Sequence, residues 1–377
     1  MKKHFLISLL LGLPLCVAAQ HSFSVSGETT RELNGKYVYL VYNADGNKRV
    51  DSVKVSDGKF TFAGEIPVPC NADIDIKKAD GLLKTLATIF LENGNITVDT
   101  QDYSVGGTTA NNEWNEYLAQ TKTLKRARET YQEQASSILQ RMIAVKESGG
   151  HPSRQDSIDR KTAQTELSNV REQIAEKAVA FVKSHPQALS ASYLMAVYIK
   201  HFSLEEADSI MSFSTNEQKQ TPMYKYVSEY FGGMHRSAVG VKYTDLEMLS
   251  PEDKPMKLSD YVGKHRLVMV DFWASWCGPC LREMPHVKEA YEKYHAKGLE
   301  IVGVSFDSKK DNWVKSIEKQ QLKWPNMSDL KGWKCAASSV YGIKGIPASL
   351  LIDQNGIIVG SNLRGDDLIN KIAELLD

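Results

Sequence analysis

The stretch Leu267-Val268-Met269-Val270-Asp271-Phe272-Trp273-Ala274-Ser275-Trp276-Cys277-Gly278-Pro279-Cys280 decides the reading of this chain. Its first seven residues are an apolar run that reads as a buried strand. The strand feeds directly into two cysteines separated by two residues. From about Pro279 the pattern turns helical, with Leu281, Met284 and Val287 on one face. Cys277 therefore falls at a helix N-terminus, where free N–H groups and the helix dipole favour thiolate over thiol. A thiol so placed is a nucleophile near neutral pH, its pKa lowered from about 8.5 to about 7 or below. Two such cysteines can close a small disulfide and reopen it.

Working outward, residues 240–377 alternate strand and helix. Leu299 to Phe306 is a second apolar strand, and a helix follows around Trp313 to Gln320. Ala348 to Ile352, the turn at Asn355-Gly356, and Ile357 to Val359 read as a hairpin, and Asp366 to Leu376 as a last helix. Upstream, residues 109–235 carry helical patterns. Tyr117, Leu124, Tyr131, Ile138, Met142 and Val145 share one stripe, and Leu167, Val170, Ile174, Ala178 and Phe181 a second. The break at Gly149-Gly150-His151-Pro152 between them predicts an antiparallel pair. A third helix is expected over about Leu189 to Phe202. The stripes read as intramolecular packing, with a dimerisation surface as the alternative. Residues 20–108 look β-rich: Tyr37 to Tyr42 has strand composition, Asp57-Gly58 is a turn signal, and Phe60, Phe62 and Ile96 to Val98 continue the pattern. Short strands with turn residues between them suggest a small sandwich or open barrel.

The remaining bounds are coarser. The chain has 377 residues, too many for one small core. Its 46 basic and 46 acidic residues balance, which argues against nucleic acid as a partner. Residues 1–19 read as a signal peptide: Lys2 and Lys3, the apolar Phe5 to Leu15, then Val17-Ala18-Ala19 for cleavage. A competing reading makes Cys16 the lipid-bearing N-terminus of a lipoprotein. Export places the chain outside the cytoplasm, in the periplasm. Four cysteines then remain in a long chain, too few for a disulfide scaffold. No second cysteine pair completes a zinc site around Cys277 and Cys280, and neither a metal nor another cofactor is expected. His265, His286 and His295 read as surface residues.

These pieces resemble thioredoxin, and more closely the exported TlpA/ResA-type thiol-disulfide oxidoreductases. The matching segments are Val270 to Ala274, Trp276 to Cys280, Glu283-Met284-Pro285, and Tyr341 to Pro347. The resemblance implies a C-terminal α/β thioredoxin fold, following a central α-helical region and an N-terminal β-rich, sandwich-like domain. It implies that Cys277 attacks a substrate disulfide and that Cys280 resolves the mixed disulfide, with the first sulfur exposed and the second buried. Gly278 and Pro279 tighten the turn and start the helix, and Pro285 lies inside it. Pro347 matches the family's cis-proline, with Ile346 offering its backbone to an extended substrate. Trp276, Gly278, Pro279 and Ile346 form the expected substrate-contacting set. Asp271 matches the buried acid, whose pKa burial should raise. Thioredoxin's partner lysine falls at about Gly303 here, so Glu283 is a rival for the proton.

The expected partners are protein disulfides and a membrane thiol-disulfide donor of electrons. A thioredoxin-fold peroxidase is a rival, weakened because Ala274 stands where the peroxidases carry Thr or Ser. A client-binding or scaffolding module that uses the thioredoxin domain for docking is the other. Cys335 reads as a free buried thiol, or as a third redox thiol or a bridge to Cys70. A looser resemblance covers the front half, through Asp57 to Phe60 and Phe90 to Gly94, to multidomain exported proteins frequent in Bacteroidota.

Overall fold

The computed structural model describes residues 21–78 and 81–377. The leader expected over residues 1–19, and Cys16 with it, lies outside the described residues. The chain divides into two compact units, Met1–Lys225 and Tyr226–Asp377.

In the first unit eight strands precede the helices. They are β1 (His21–Glu28), β2 (Tyr37–Asn43), β3 (Lys48–Lys54), β4 (Lys59–Ile66), β5 (Cys70–Lys77), β6 (Leu83–Leu91), β7 (Gly94–Asp99) and β8 (Ser104–Gly106). They form two four-stranded sheets, ordered β4-β1-β7-β8 and β3-β2-β5-β6. Strict alternation explains why they face each other. In β2 the side chains of Val38, Leu40 and Tyr42 point inward, and in β4 those of Phe60, Phe62 and Ile66 do. Phe23 of one sheet meets Tyr42 of the other edge-on at 6.3 Å. Gly27 stands opposite Phe60 in the β1–β4 register, and a Cβ there would run into the Phe60 ring. This is the β-rich, sandwich-like arrangement expected from the strand pattern.

The helices of this unit begin with α1 (Thr109–Glu147) and α2 (Arg154–Ser184). They run antiparallel, as the short Gly-rich connection requires. Gln132 accepts from Arg171 at 3.0 Å, and Arg141 pairs with Asp156 near the turn. Leu167, Val170, Ile174, Ala178 and Phe181 are buried, so the α2 stripe is a packing face. The outer half of the α1 stripe, from Tyr131 to Val145, is only half-buried. Then come α3 (Leu189–Val197), α4 (Leu204–Ser212) and α5 (Asn216–Gln220), while α6 (Pro222–Arg236) begins in this unit and continues into the second. The third helix stops five residues short of the expected Phe202. Its chain tightens into a 3-10 turn at Ile199–His201 instead. Among the described residues no helix is long and apolar enough to cross a membrane.

The second unit contains β9 (Glu247–Leu249), β10 (Pro255–Lys257), β11 (Leu267–Trp273), α7 (Gly278–Tyr294), β12 (Leu299–Ser305), α8 (Lys310–Gln320), β13 (Asn326–Met327), α9 (Ala336–Tyr341), β14 (Ala348–Asp353), β15 (Ile358–Ser361) and α10 (Gly365–Leu376). Its main sheet is ordered β13-β12-β11-β14-β15. β12 and β13 continue in parallel from β11, and β14 and β15 return antiparallel. Every residue of β11 and β12 is buried, the mark of central strands covered on both faces. This is the thioredoxin-like layout. It delivers the end of β11, and so the paired cysteines, to the start of α7.

Candidate redox site

The turn between β11 and α7 is pinned from below. The Ser275 N–H and hydroxyl donate to the two carboxylate oxygens of Asp307, at 2.9 and 2.6 Å. Asp307 is buried and also accepts from the Ser305 hydroxyl at 2.8 Å. The Cys277 N–H donates to the Ala274 carbonyl at 3.1 Å, closing the loop. Sequence reasoning missed Ser275 and Asp307, because a polar pair 32 residues apart leaves no periodic signal.

Cys277 is the N-cap of α7, with Pro279 in the first turn. It is joined to Cys280 by a disulfide, so the site stands in its oxidised form. The Cys280 N–H donates to the Cys277 sulfur at 3.1 Å, which is how a helix N-terminus stabilises charge on that atom. The other face of Cys277 lies 3.6 Å from the Ile346 carbonyl oxygen, and the Ile346–Pro347 peptide is cis. The structure thus brings Cys277, Cys280, Ile346 and Pro347 together. One expectation is corrected. Both cysteine residues are buried in the disulfide form, Cys277 4 % exposed and Cys280 2 %, rather than one exposed and one buried. In the disulfide Cys277 is packed between the first turn of α7 and the Ile346 backbone, and the exposed neighbours are Trp276, Gly278 and Pro279.

Trp276 is 54 % exposed and faces Trp333, itself 48 % exposed, at 6.0 Å between ring centroids. Trp333 rests on the buried Phe306 at 5.3 Å. Two large rings left in water beside a redox disulfide make an apolar rim of the kind that marks binding surfaces. Trp333 lies far along the chain on the Gly332–Lys334 turn, and nothing in its sequence surroundings pointed to the site.

Asp271 sits in the middle of the sheet, registered against Gly303 of β12 and Ser349 of β14. Burial pushes its carboxyl up to about 7; the Glu283 charge adds to the rise and Arg364 opposes it. The position of the missing lysine is physically filled. A Cβ on Gly303 would run into the Asn326 amide, which accepts from Trp273 Nε1 at 3.1 Å and donates to the Trp324 carbonyl at 3.0 Å. Glu283 is half-buried and reaches across to a second helix, accepting from the Gly365 N–H at 2.6 Å at the start of α10. It is therefore a tie between α7 and α10 rather than a solvated carboxylate on its own helix. Arg364, also missed in the sequence, donates to the Pro347 carbonyl.

Cys70 and Cys335 are free and buried, so neither forms the bridge considered above. Burial pushes both thiols up to about 12, which leaves them protonated and unreactive. Among the described residues no group of three or more His, Cys, Asp or Glu is placed to hold a metal ion.

A redox disulfide at the mouth of a thioredoxin-like sheet, opposite a cis-proline, defines a thiol-disulfide exchange protein. Comparison with known proteins agrees. The AhpC/TSA family model matches residues 239–361, and a model for a domain of unknown function, DUF4369, matches residues 23–114. Thiol-disulfide oxidoreductase ResA of Bacillus cereus is 33 % identical over 148 residues, covering 39 % of this chain and 82 % of that protein. ResA of Bacillus anthracis is 36 % identical over 131 residues, covering 34 % and 72 %. Among solved structures, the thioredoxin domain of a thiol-disulfide oxidoreductase from Bacteroides vulgatus is 31 % identical, covering 37 % of this chain and 99 % of that one, with a TM-score of 0.35. The chain belongs to the ResA family of thiol-disulfide oxidoreductases, and the likeness extends over little more than a third of its length.

Proposed function

We propose that this protein is an extracytoplasmic reductant of protein disulfides, working through Cys277 and Cys280. The observation that carries the reading is the oxidised pair capping α7, with the Cys280 N–H aimed at the Cys277 sulfur and the Ile346 carbonyl beside it. In the reduced protein the Cys277 thiolate attacks one sulfur of a substrate disulfide. The substrate S–S bond breaks, its distal sulfur leaves and takes a proton, and a mixed disulfide forms. Cys280 then loses its proton and attacks Cys277. The second substrate thiol is released, and the disulfide seen in the structure is left behind. Two electrons pass from the dithiol to the substrate.

We take Asp271, rather than Glu283, as the base that accepts the Cys280 proton. A buried carboxyl with a pKa of about 7 holds and releases protons at working pH, whereas Glu283 already spends an oxygen on the Gly365 N–H. The cis-Pro347 loop offers the Ile346 backbone to an extended substrate segment, and Trp276 and Trp333 cover the apolar side chains beside the substrate cysteine. Gly278 and Pro279 expose the turn to that segment. The reducing direction rests on the Gly-Pro dipeptide, the thioredoxin choice, whose couple lies near about −270 mV. The extracytoplasmic setting rests on the leader pattern of residues 1–19, and it requires a membrane thiol-disulfide donor to restore the dithiol.

The reading is tested by insulin reduction with the full chain and by the potential of the Cys277/Cys280 couple. Reduction that disappears in Cys277→Ser and a couple well below −200 mV are expected. Reduction that survives Cys277→Ser, or a couple near the −120 mV of strong oxidants, overturns it.

A further inference from the structure

The first unit contains a cavity of about 230 Å³ between β6, the Tyr103–Val105 segment, α1 and α3. Its wall is aromatic. Trp114 and Tyr117 stack at 4.9 Å, and Tyr193 stands edge-on to Trp114 at 5.7 Å. The Trp114 indole N–H is already spent on the Thr88 carbonyl at 2.8 Å, so it is not free for a ligand.

The cavity also holds more positive charge than its own residues neutralise. Lys125 and Arg128 line it, one turn apart on α1. The Lys125 ammonium sits 5.5 Å from the centroids of both stacked rings. Burial brings it down to about 8, with the Arg128 charge acting in the same direction. Glu129 is the single carboxylate in the lining, and it accepts from the Tyr103 hydroxyl at 2.7 Å. Among the described residues Lys125 and Arg128 close no ion pair, whereas Lys122, on the same helix, pairs with Asp102. Two cations against one engaged carboxylate leave one positive charge in a partly desolvated aromatic chamber, where an unmatched charge is costly. Arg128, Glu129 and Tyr198 also border a larger neighbouring cleft of about 770 Å³.

We propose that this chamber is a binding site for a small aromatic carboxylate, its ring beside the half-buried Tyr193 and Tyr198 and its carboxylate between Lys125 and Arg128. The ligand is a monoanion because one charge is unmatched. It is a single ring or little more, because the volume lies below the range of about 300–1,000 Å³ usual for drug-sized ligands. A planar carboxylate suits the fork of Arg128. The site is independent of the thiol chemistry.

The test is calorimetric titration of the full chain with phenylacetate and with its neutral counterpart, phenylacetamide. Phenylacetate is expected to bind with a Kd on the order of 100 µM, the affinity typical of so small a ligand. Phenylacetamide should bind about tenfold more weakly or worse, the usual cost of a lost charge-assisted bond. Lys125→Met keeps an apolar stem over the rings and should reduce that preference. Arg128→Gln should weaken phenylacetate alone, and Cys277→Ser should leave both affinities unchanged. In the unmodified protein, phenylacetate should protect Lys125 but not Lys122 from acylation, read by mass spectrometry. Equal affinity for the two probes, no saturable binding of phenylacetate at millimolar concentration, or equal acylation of Lys125 with and without it overturns the proposal.

Discussion

Two cysteines of the second unit cap helices, and they meet opposite fates. Cys277 begins α7 and Cys335 begins α9, so both stand where a helix dipole favours a thiolate. Cys277 receives the N–H of Cys280 and shares a disulfide with it, beneath an exposed tryptophan rim. Cys335 is 1 % exposed, and its thiol is pushed up to about 12, chiefly by burial. Near it Asp329 has taken the Ala336 N–H at 3.0 Å, and its negative charge raises the thiol further. A helix N-terminus does not by itself activate a thiol. A second sulfur one turn on, a mouth for substrate and freedom from a rival carboxylate are what separate the two.

The comparison can be broken by exchanging the roles. Cys277→Ser should lower disulfide exchange by at least about a thousandfold in an insulin-reduction assay, as loss of a nucleophile does. Cys335→Ser should leave the rate within about twofold. A comparable loss from Cys335→Ser would make the second helix cap part of the chemistry.

The next effect tests the buried acid beneath the active pair. The native Asp271 carboxyl holds its proton up to about 7, whereas the unfolded chain gives it up near 3.8. The native state therefore binds more protons between those values, and stability falls as pH rises from about 4 to about 7, then levels. Asp271→Asn removes that slope. It should stabilise the protein by about 2–4 kcal/mol near pH 8 in urea unfolding and by almost nothing near pH 4. A pH-independent difference would mean that Asp271 is not the titrating group.

Smaller changes sharpen the picture. Glu283→Ala leaves the Gly365 N–H without its acceptor and should cost about 1 kcal/mol, as loss of a helix cap does. Glu283→Gln keeps an acceptor but removes the charge that pushes Asp271 up, so the Asp271 titration should move to lower pH by NMR. The smallest effect is expected at the silent thiol. Asp329→Asn removes a charge that raises Cys335, and labelling of that thiol should quicken by about two- to threefold at fixed pH, burial still dominating.

Legibility followed distance along the chain. The apolar strand, the paired cysteines and the helix after them are contiguous, so their pattern could be read directly, and the hairpin at Asn355-Gly356 likewise. The sandwich strands showed through their alternation and the long helices through their stripes. The surroundings of the sulfurs were not readable in that way. Glu283 bonds to Gly365, Ser275 to Asp307 and Arg364 to the Pro347 carbonyl, each across an element boundary. Polar contacts of this kind have no period.

Composition and order along the sequence settled the fold class and the family, and singled out Cys277 and Cys280 as the candidate pair. They did so because strand and helix periods and a two-residue cysteine spacing are local properties of the chain. Tertiary structure alone decided that Cys277 is covered in the disulfide, that Asn326 occupies the space facing Gly303, and that Trp333 joins Trp276. It alone gathered Trp114, Tyr117 and Tyr193 around Lys125. Burial and electrostatic shifts arise from what is packed alongside, and packing brings together residues that the sequence keeps apart.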